Sequence, residues 1–208
     1  MTRTFESIYA EVPPEQRERL KTFRATHSGS HAVVNGVEWE YIACGQGETA
    51  ILWLVGGLRV ADAAYRSIPL LENYFRIIAP TYPQVNSMNE LTDGLAGLLE
   101  HEGLQKAHVL SGSFGGMVAQ ALVRRHPECI DRMILSTTTV LDSQAAENYR
   151  QQAMMIEATP PDVVAEFSKG RFLEMVAPPD SERLFWTAYI DELFTERLTK
   201  ADLLSTVN

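Results

Sequence analysis

Hydrophobic and polar residues alternate early in the chain as expected of a strand with one buried face. In Val37–Ala43 the apolar side chains fall on every second residue at first, among them Trp39 and Tyr41. Asn35-Gly36 separates this segment from the preceding apolar segment, His31–Val34, and Asn-Gly readily adopts the positive φ angles of a type I′ turn. The pattern therefore predicts an antiparallel β-hairpin.

Beyond the hairpin the apolar runs are continuous, which is typical of strands covered on both faces of a sheet. Helical segments are predicted after the first run, through about Asn73, and after the second, over Ser87–Glu102, where four leucines fall on one face. Strands and helices that alternate at this spacing form βαβ units, so the sequence predicts an α/β fold with a mostly parallel sheet. The predicted strands are Ala50–Val55, Phe75–Ala79, Ala107–Leu110 and Arg132–Leu135.

After the fourth run the strand pattern disappears, and the rest of the chain predicts three or four helices. This part is rich in methionine and aromatic residues, and Thr199-Lys-Ala-Asp202 has the form of a capping box at a helix start. We interpret residues 142–208 as a helical cap and residues 31–141 as an α/β core. Residues 1–30 are predicted to form a peripheral segment, in which Pro13-Pro14-Glu15 opens a short helix.

Composition and charge narrow the classes of function. The chain has 208 residues, of which 45% are hydrophobic and 22% charged, as is typical of a globular protein. Its formal net charge of −9, without any basic run, argues against nucleic acid or an anionic membrane as partner. Cys44 and Cys129 lie far apart without metal-ligand spacing, so neither a disulfide nor a metal site is predicted. The polar N-terminus and the lack of a long apolar run predict a cytoplasmic protein.

The segment Ala107–Arg125 carries the main candidate for chemistry. Ser113 lies between small residues, directly after a predicted buried strand and at the start of a predicted helix, which is the context of a nucleophile elbow. Such a turn is tight, so the positions two before and two after the serine, Ser111 and Gly115, have to be small. The helix start favours negative charge near Ser113, and we predict that the N–H of Phe114 donates to an oxyanion.

A second oxyanion donor is expected in the loop after the strand beside the elbow strand. Val55-Gly56-Gly57-Leu58 is that loop by its order along the chain, and the N–H of Leu58 is the predicted donor. The simpler interpretation is that Gly56-Gly57 only turns the chain. A phosphate-binding loop of a nucleotide-binding sheet is disfavoured, because the G-x-G-x-x-G pattern is absent and the candidate turn is not the first one.

With these two features, the chain from Val33 to Thr138 resembles the α/β-hydrolase superfamily. Within it, Phe75–Pro83, Asp93-Gly94 and Ser113–Gly116 are similar to maspardin and its bacterial relatives, where Tyr-Pro replaces a glycine-rich loop. The resemblance implies a serine hydrolase that acts on esters, amides or thioesters and needs no cofactor. Its substrate would be a small apolar acyl or ester compound, held in a pocket of the cap. Because maspardin is regarded mainly as a binding protein, a non-catalytic protein-binding scaffold is the alternative.

An elbow serine also needs an imidazole base and a carboxylate that orients it. In this fold both follow the serine in the chain, but His126 is the only histidine after Ser113, and it lies at the far end of the elbow helix. Asp142 and Asp62 are expected to begin helices rather than to serve in catalysis.

The missing catalytic partners lead to a hypothesis about the chain as a whole. We expect it to lack the last two strands and helices of the fold, and therefore to be inactive alone. Its last strand, Arg132–Leu135, would then be an uncovered edge through which a second copy or a partner protein associates.

Overall fold

The structure is a computed structural model and describes residues 3–207. Its six strands form one sheet. The strands are β1 (Ser30–Val34), β2 (Val37–Cys44), β3 (Ala50–Leu54), β4 (Arg76–Pro80), β5 (Ala107–Gly112) and β6 (Ile130–Ser136). The helices are α1 (Phe5–Ile8), α2 (Pro14–Thr26), α3 (Ile68–Leu71), α4 (Met88–His101), α5 (Phe114–Arg125), α6 (Ser143–Ala158), α7 (Pro161–Val176), α8 (Arg183–Glu192) and α9 (Lys200–Val207).

The sheet has the order β1-β2-β4-β3-β5-β6. The pairs β3–β4, β3–β5 and β5–β6 are parallel, whereas β1–β2 and β2–β4 are antiparallel. The predicted α/β fold with a mostly parallel sheet and an antiparallel hairpin at its start is therefore confirmed. In this order the carboxyl ends of β3 and β5 lie side by side, which brings the loops after them together.

The hairpin forms where the alternating pattern predicts it. Asn35 and Gly36 have φ angles of 52° and 81°, as a type I′ turn requires, and they set the pairing of Val34 with Val37. Trp39 and Tyr41 point to the buried face of β2 and are almost completely inaccessible. Because side chains alternate along a strand, this register puts both rings in the core at once.

Helix α4 covers one face of the sheet through its leucines. Ser87 precedes the helix, and its hydroxyl accepts a hydrogen bond from the N–H of Glu90, as the N-cap position favours. The leucines on one side of the helix are all buried, while the opposite side is polar. They are Leu91, Leu95, Leu98 and Leu99.

The segment between β3 and β4 differs from the sequence prediction. In place of a helix that continues to about Asn73, it contains a 3-10 turn at Ala61–Ala64 and the four-residue helix α3. Pro69 lies in the first turn of α3, where a proline is tolerated because the N–H it lacks would be unpaired anyway. The same proline prevents one continuous helix through this position, so the prediction of such a helix is wrong.

The contacts divide the chain into two compact units. One comprises residues 23–148 and contains the whole sheet; the other comprises residues 3–22 and 149–207 and is helical. In the helical unit the ring of Phe185 stacks on that of Tyr189 with centroids 5.9 Å apart, and the hydroxyl of Tyr9 donates to the Glu192 carboxylate at 2.6 Å. Residues near the N-terminus thus contribute to the core of the helical unit. The domain boundaries at residues 31 and 142 stay a prediction.

The capping box predicted before α9 is present. The Thr199 hydroxyl accepts from the N–H of Asp202 at 3.3 Å, and the Asp202 carboxylate accepts from the N–H of Thr199 at 2.7 Å. Among residues 3–207, none of the helices combines the length and the apolar character needed to cross a bilayer.

The burial of α4 gives a test of the core. Leu98 is completely buried, so Leu98→Ala is expected to lower the free energy of unfolding by about 2–5 kcal/mol through lost burial and a cavity. Leu70 of α3 is 72% exposed, and Leu70→Ala is expected to change the free energy of unfolding by less than about 0.5 kcal/mol. Urea unfolding followed by circular dichroism measures both. Equal effects of the two substitutions would contradict this assignment of the core.

Candidate active site

Ser113 lies at a sharp bend between β5 and α5. Its backbone angles are φ 51° and ψ −126°, in a region that residues with a side chain rarely adopt. The residue is exposed, although Phe114 and Gly115 beside it are buried. The bend therefore presents the hydroxyl at the surface of the unit, at the carboxyl end of the sheet.

Hydrogen bonds from β6 and the loop that follows it hold this bend. The N–H of Ser113 donates to the carbonyl of Ser136 at 3.1 Å, and the Thr138 hydroxyl donates to the carbonyl of Ser113 at 2.7 Å. Two residues before the bend, the buried hydroxyl of Ser111 donates to the carbonyl of Ile134 at 3.0 Å. Both backbone groups of Ser113 are thus paired, which compensates for part of the strain at its φ angle.

Gly115 allows α5 to begin directly against the end of β3. A Cβ atom at this position would lie closer than 3.0 Å to the carbonyl oxygens of Leu54 and Val55. Since both neighbours are backbone atoms of a strand end, neither can move without displacing the sheet. The small residue expected two positions after the serine is therefore a steric requirement.

The loop after β3 faces Ser113, as the oxyanion prediction requires. A Cβ atom built on Gly56 would lie 4.0 Å from Ser113 Oγ and 3.5 Å from Ser113 Cβ. The N–H of Arg59 donates to the Gly56 carbonyl at 3.0 Å, which closes a turn that includes Leu58. Within residues 3–207 neither the N–H of Leu58 nor that of Phe114 has a hydrogen-bond acceptor.

Arg59 and Tyr82 hold the loop after β3, and the sequence alone predicted neither as a site residue. Arg59 is 1% exposed, has a φ of 67°, and donates from its guanidinium to the carbonyls of Tyr82 and Pro83 at 3.1 and 2.9 Å. The buried hydroxyl of Tyr82 donates to the Val55 carbonyl at 2.8 Å. Burial raises the pKa of Tyr82, so this donor stays protonated. The available signal was an arginine in the otherwise apolar segment after Leu58.

The histidine that follows Ser113 in the chain is held elsewhere. His126 is at the C-terminal end of α5, about 18 Å along the helix from the elbow. Its Nε2 atom lies 2.7 Å from the Asp93 carboxylate, which also pairs with Arg125. These two partners lower the pKa of Asp93 to about 2. The group is therefore an ion-pair cluster between α4 and α5.

The other four histidines also lie away from Ser113. His101 ends α4 and His108 begins β5, so both are at the opposite end of β5 from the serine. His31 is exposed on β1. Three strands lie between β1 and β5, so the two strands are about 19 Å apart across the sheet. His27 follows α2 and pairs with Glu72. Residues 3–207 therefore bring no imidazole to the Ser113 hydroxyl.

The two aspartates considered from the sequence have structural partners. Asp142 accepts a hydrogen bond from the N–H of Ala145 at 2.9 Å and so caps α6, as expected. Asp62 is buried in the 3-10 turn and forms an ion pair with Arg24 at 2.7 Å. Neither partner is an imidazole that a catalytic acid would orient.

The helical unit contains a cavity of its own. It has a volume of about 620 Å³ and lies between α7, the π-helical turn after α8, and α9. Apolar residues at its wall include Val164, Phe194, Leu198 and Leu203, with Lys200 among the polar ones. A pocket of the cap for an acyl group stays a prediction.

Solved structures with the same arrangement of elements identify the fold. A hydrolase from Pseudomonas aeruginosa PA01 superposes with a TM-score of 0.68 at 19% identity, over 86% of this chain and 71% of that protein. A thermophilic esterase from Thermogutta terrifontis superposes with a TM-score of 0.65 at 21% identity, over 87% of this chain and 72% of that protein. The chain has the α/β-hydrolase fold.

Similarity at the level of sequence is shorter. The putative carbamate hydrolase RutD of Yersinia enterocolitica is 29% identical over 85 residues. The match covers 36% of this chain and spans 31% of that protein's length. No protein-family model matches the chain. The narrower likeness to maspardin stays a prediction.

Two helical glycines give a test of the elbow's packing. Gly115→Ala is expected to lower the free energy of unfolding by about 1–3 kcal/mol, because the new methyl group has no space beside Leu54 and Val55. Gly170 lies within α7 with open space at its Cβ position, so Gly170→Ala is expected to raise the free energy of unfolding by about 0.5–1 kcal/mol. Denaturant unfolding of the two variants supplies the comparison. A stabilising Gly115→Ala would show that α5 does not approach β3 this closely.

Proposed function

We propose that this protein is a serine hydrolase that cleaves carboxylic esters or related acyl compounds, with Ser113 as its nucleophile. The observation that carries the proposal is the exposed hydroxyl of Ser113 on a backbone bend with a φ of 51°, facing the Gly56 loop. Strained residues of this kind persist where the surrounding structure forces them, and they cluster at active sites. The proposal assigns the strain to positioning the hydroxyl for attack.

The proposed reaction begins when Ser113 Oγ attacks the carbonyl carbon of the substrate. A bond forms between these two atoms, the hydroxyl proton passes to a base, and the carbonyl oxygen takes the electron pair of its double bond. The N–H groups of Leu58 and Phe114 would then donate to this oxyanion, and the positive end of α5 would stabilise it. The carbonyl double bond then re-forms, the bond to the alkoxy oxygen breaks, and the base returns its proton to that oxygen, so that an alcohol leaves and an acyl-serine remains. Water hydrolyses this ester to the carboxylic acid and the free serine. This chemistry uses no cofactor.

None of the five histidines lies near Ser113, so within the proposal no imidazole of residues 3–207 serves as the general base. We infer that these residues supply the nucleophile and the oxyanion donors, and that they do not turn over esters at the rate of a complete triad. A positioned base contributes about 10²–10⁴-fold to such reactions.

The proposed substrate is a small apolar acyl compound. The buried rings of Tyr82 and Phe114 meet edge to face with centroids 5.8 Å apart, so the residue next to the serine belongs to an apolar cluster. The proteins that this chain is similar to include one described as a thermophilic esterase and one described as a putative carbamate hydrolase. An ester or carbamate bond suits the proposed nucleophile equally well.

The second candidate function is a maspardin-like scaffold that binds a protein partner or a second copy of the chain. It is favoured by β6, which pairs with a neighbour on one side only and leaves Ile134 62% and Leu135 40% exposed. Exposed apolar residues on an edge strand are a surface onto which another chain can pair. In that case Ser113 would have no chemical role.

A fluorophosphonate probe distinguishes the two functions. The probe is expected to phosphonylate Ser113 slowly in the 208-residue chain, and added imidazole is expected to accelerate the labelling because it can accept the hydroxyl proton. Ser113→Ala should abolish the label, as judged by intact mass and peptide mapping. Hydrolysis of p-nitrophenyl acetate by the unmodified chain should stay near the rate of Ser113→Ala.

Ser111→Ala serves as the matched control, since this serine lies two residues away but is buried and bonded to Ile134. It should retain labelling at Ser113. If added imidazole does not accelerate labelling and Ser113→Ala does not abolish it, the scaffold is favoured. Ester turnover typical of an esterase, dependent on Ser113, would show that a base is present after all.

A further inference from the structure

Three side chains that commonly bind metal ions converge in the sheet unit, at a site that the hydrolase proposal does not use. They are His27 after α2, Cys44 at the end of β2, and Glu72 at the end of α3. One ligand atom from each, an imidazole nitrogen, a thiol sulfur and a carboxylate oxygen, lies within 4.8 Å of the other two. The closest pair is His27 Nε2 and Glu72 Oε2, at 2.7 Å.

We propose that His27, Cys44 and Glu72 bind one Zn²⁺ ion, through Nε2, Sγ and a carboxylate oxygen, with water in the fourth position. Zinc favours this set because it accepts thiolate, imidazole and carboxylate ligands in a tetrahedral arrangement, whereas magnesium and calcium prefer oxygen alone. Adjacent ligands of such an ion are about 3.6 Å apart, given zinc bonds of ~2.0–2.3 Å. The three groups therefore need to move by about 1 Å, within the reach of side-chain rotation.

The imidazole of His27 is already oriented for this role. Its Nδ1 atom lies 2.9 Å from the Thr26 hydroxyl and 3.2 Å from the carbonyl of Phe23, so in the tautomer with its proton on Nδ1 the ring donates to one of these two oxygens. The ring also stacks on the Phe23 side chain with centroids 4.2 Å apart. A backbone carbonyl on Nδ1 is the usual support of a zinc-binding histidine, and it leaves Nε2 to the ion.

The contact between His27 and Glu72 needs a proton that a metal ion can replace. A divalent cation between the Cys44 sulfur and the Glu72 carboxylate would also displace the proton of the thiol, since a thiol that coordinates a metal loses its proton. The three groups can therefore exchange protons for one divalent cation.

The backbone brings Cys44 and Glu72 together independently of any ion. Gly45, directly after Cys44, has a φ of 82°, and a Cβ atom there would lie within 3.0 Å of the carbonyl oxygens of Phe75 and Glu72. Only glycine permits this approach between the end of β2 and the end of α3. Two of the ligands are therefore held in place by packing, which lowers the entropy cost of binding.

The proposed zinc site lies apart from the proposed nucleophile. Cys44 pairs with Ile77 at the amino end of β4, whereas Ser113 follows the carboxyl end of β5. Since β4, β3 and β5 are parallel, the two sites lie at opposite ends of the sheet, about 16 Å apart along a five-residue strand. The ion would join the ends of α2, β2 and α3.

Zinc titration of the reduced, metal-free 208-residue chain against a chromophoric chelator tests the proposal. One equivalent should bind. Cys44→Ser and Glu72→Gln should each weaken binding by more than the ~10–100-fold that supporting groups of metal sites contribute. Co²⁺ should give a thiolate charge-transfer absorption that Cys44→Ser removes. The matched control is Cys129→Ser, which removes the other half-buried thiol and should leave both signals unchanged.

Without zinc, the circular dichroism spectrum of each variant should match that of the unmodified chain. A loss of zinc binding can then be assigned to the lost ligand and not to unfolding. Ser113→Ala should bind zinc like the unmodified chain, which separates this site from the proposed nucleophile. The proposal is overturned by the absence of stoichiometric zinc binding, by binding that survives both Cys44→Ser and Glu72→Gln, or by binding that Cys129→Ser removes.

Discussion

The positive φ angle of Ser113 is the constraint on which the candidate site depends. A non-glycine residue in this conformation costs about 1–3 kcal/mol, and the structure offsets that cost through neighbours rather than through the residue itself. Thr138 and Ser136 satisfy both backbone groups of Ser113, and Gly115 lets α5 start against β3. The bend is therefore held by the ends of β3 and β6 and by the loop after β6.

The loop after β3 is stabilised in a similar way. Arg59 places its charge on the carbonyls of Tyr82 and Pro83, and Tyr82 returns a hydrogen bond to Val55. Burial of a guanidinium is costly, and its hydrogen bonds to these two carbonyls offset part of that cost while they hold the loop. In the proposed reaction Arg59 and Tyr82 do not contact the substrate. They hold the loop so that the N–H of Leu58 can donate to the oxyanion.

The sequence predicts well what depends on local patterns. Asn35-Gly36 specifies the turn of the hairpin, and the serine between a buried strand and a helix specifies the bend, because in both cases neighbouring residues decide the backbone angles. The break in the segment before β4 was also local, at Pro69, but helical periodicity concealed it. Arg59 could not be placed, since its acceptors are backbone carbonyls, which every sequence contains.

The proposed zinc ligands show the other limit of sequence reasoning. His27, Cys44 and Glu72 come from three elements, and no short spacing connects them, so only the fold brings them together. The lack of an imidazole near Ser113, in contrast, can be predicted from the sequence. The sequence does place His126 away from Ser113, because the length of the helix between them sets their separation.

The structure of the chain after reaction with a phosphonate ester tests the central claim most directly. The account predicts a covalent bond from Ser113 Oγ to phosphorus, with the phosphonyl oxygen about 2.7–3.1 Å from the amide nitrogens of both Leu58 and Phe114. Ser113 should keep its positive φ angle in that adduct. An adduct whose oxygen points to solvent, or a relaxed Ser113 backbone with neither amide in contact, would contradict it.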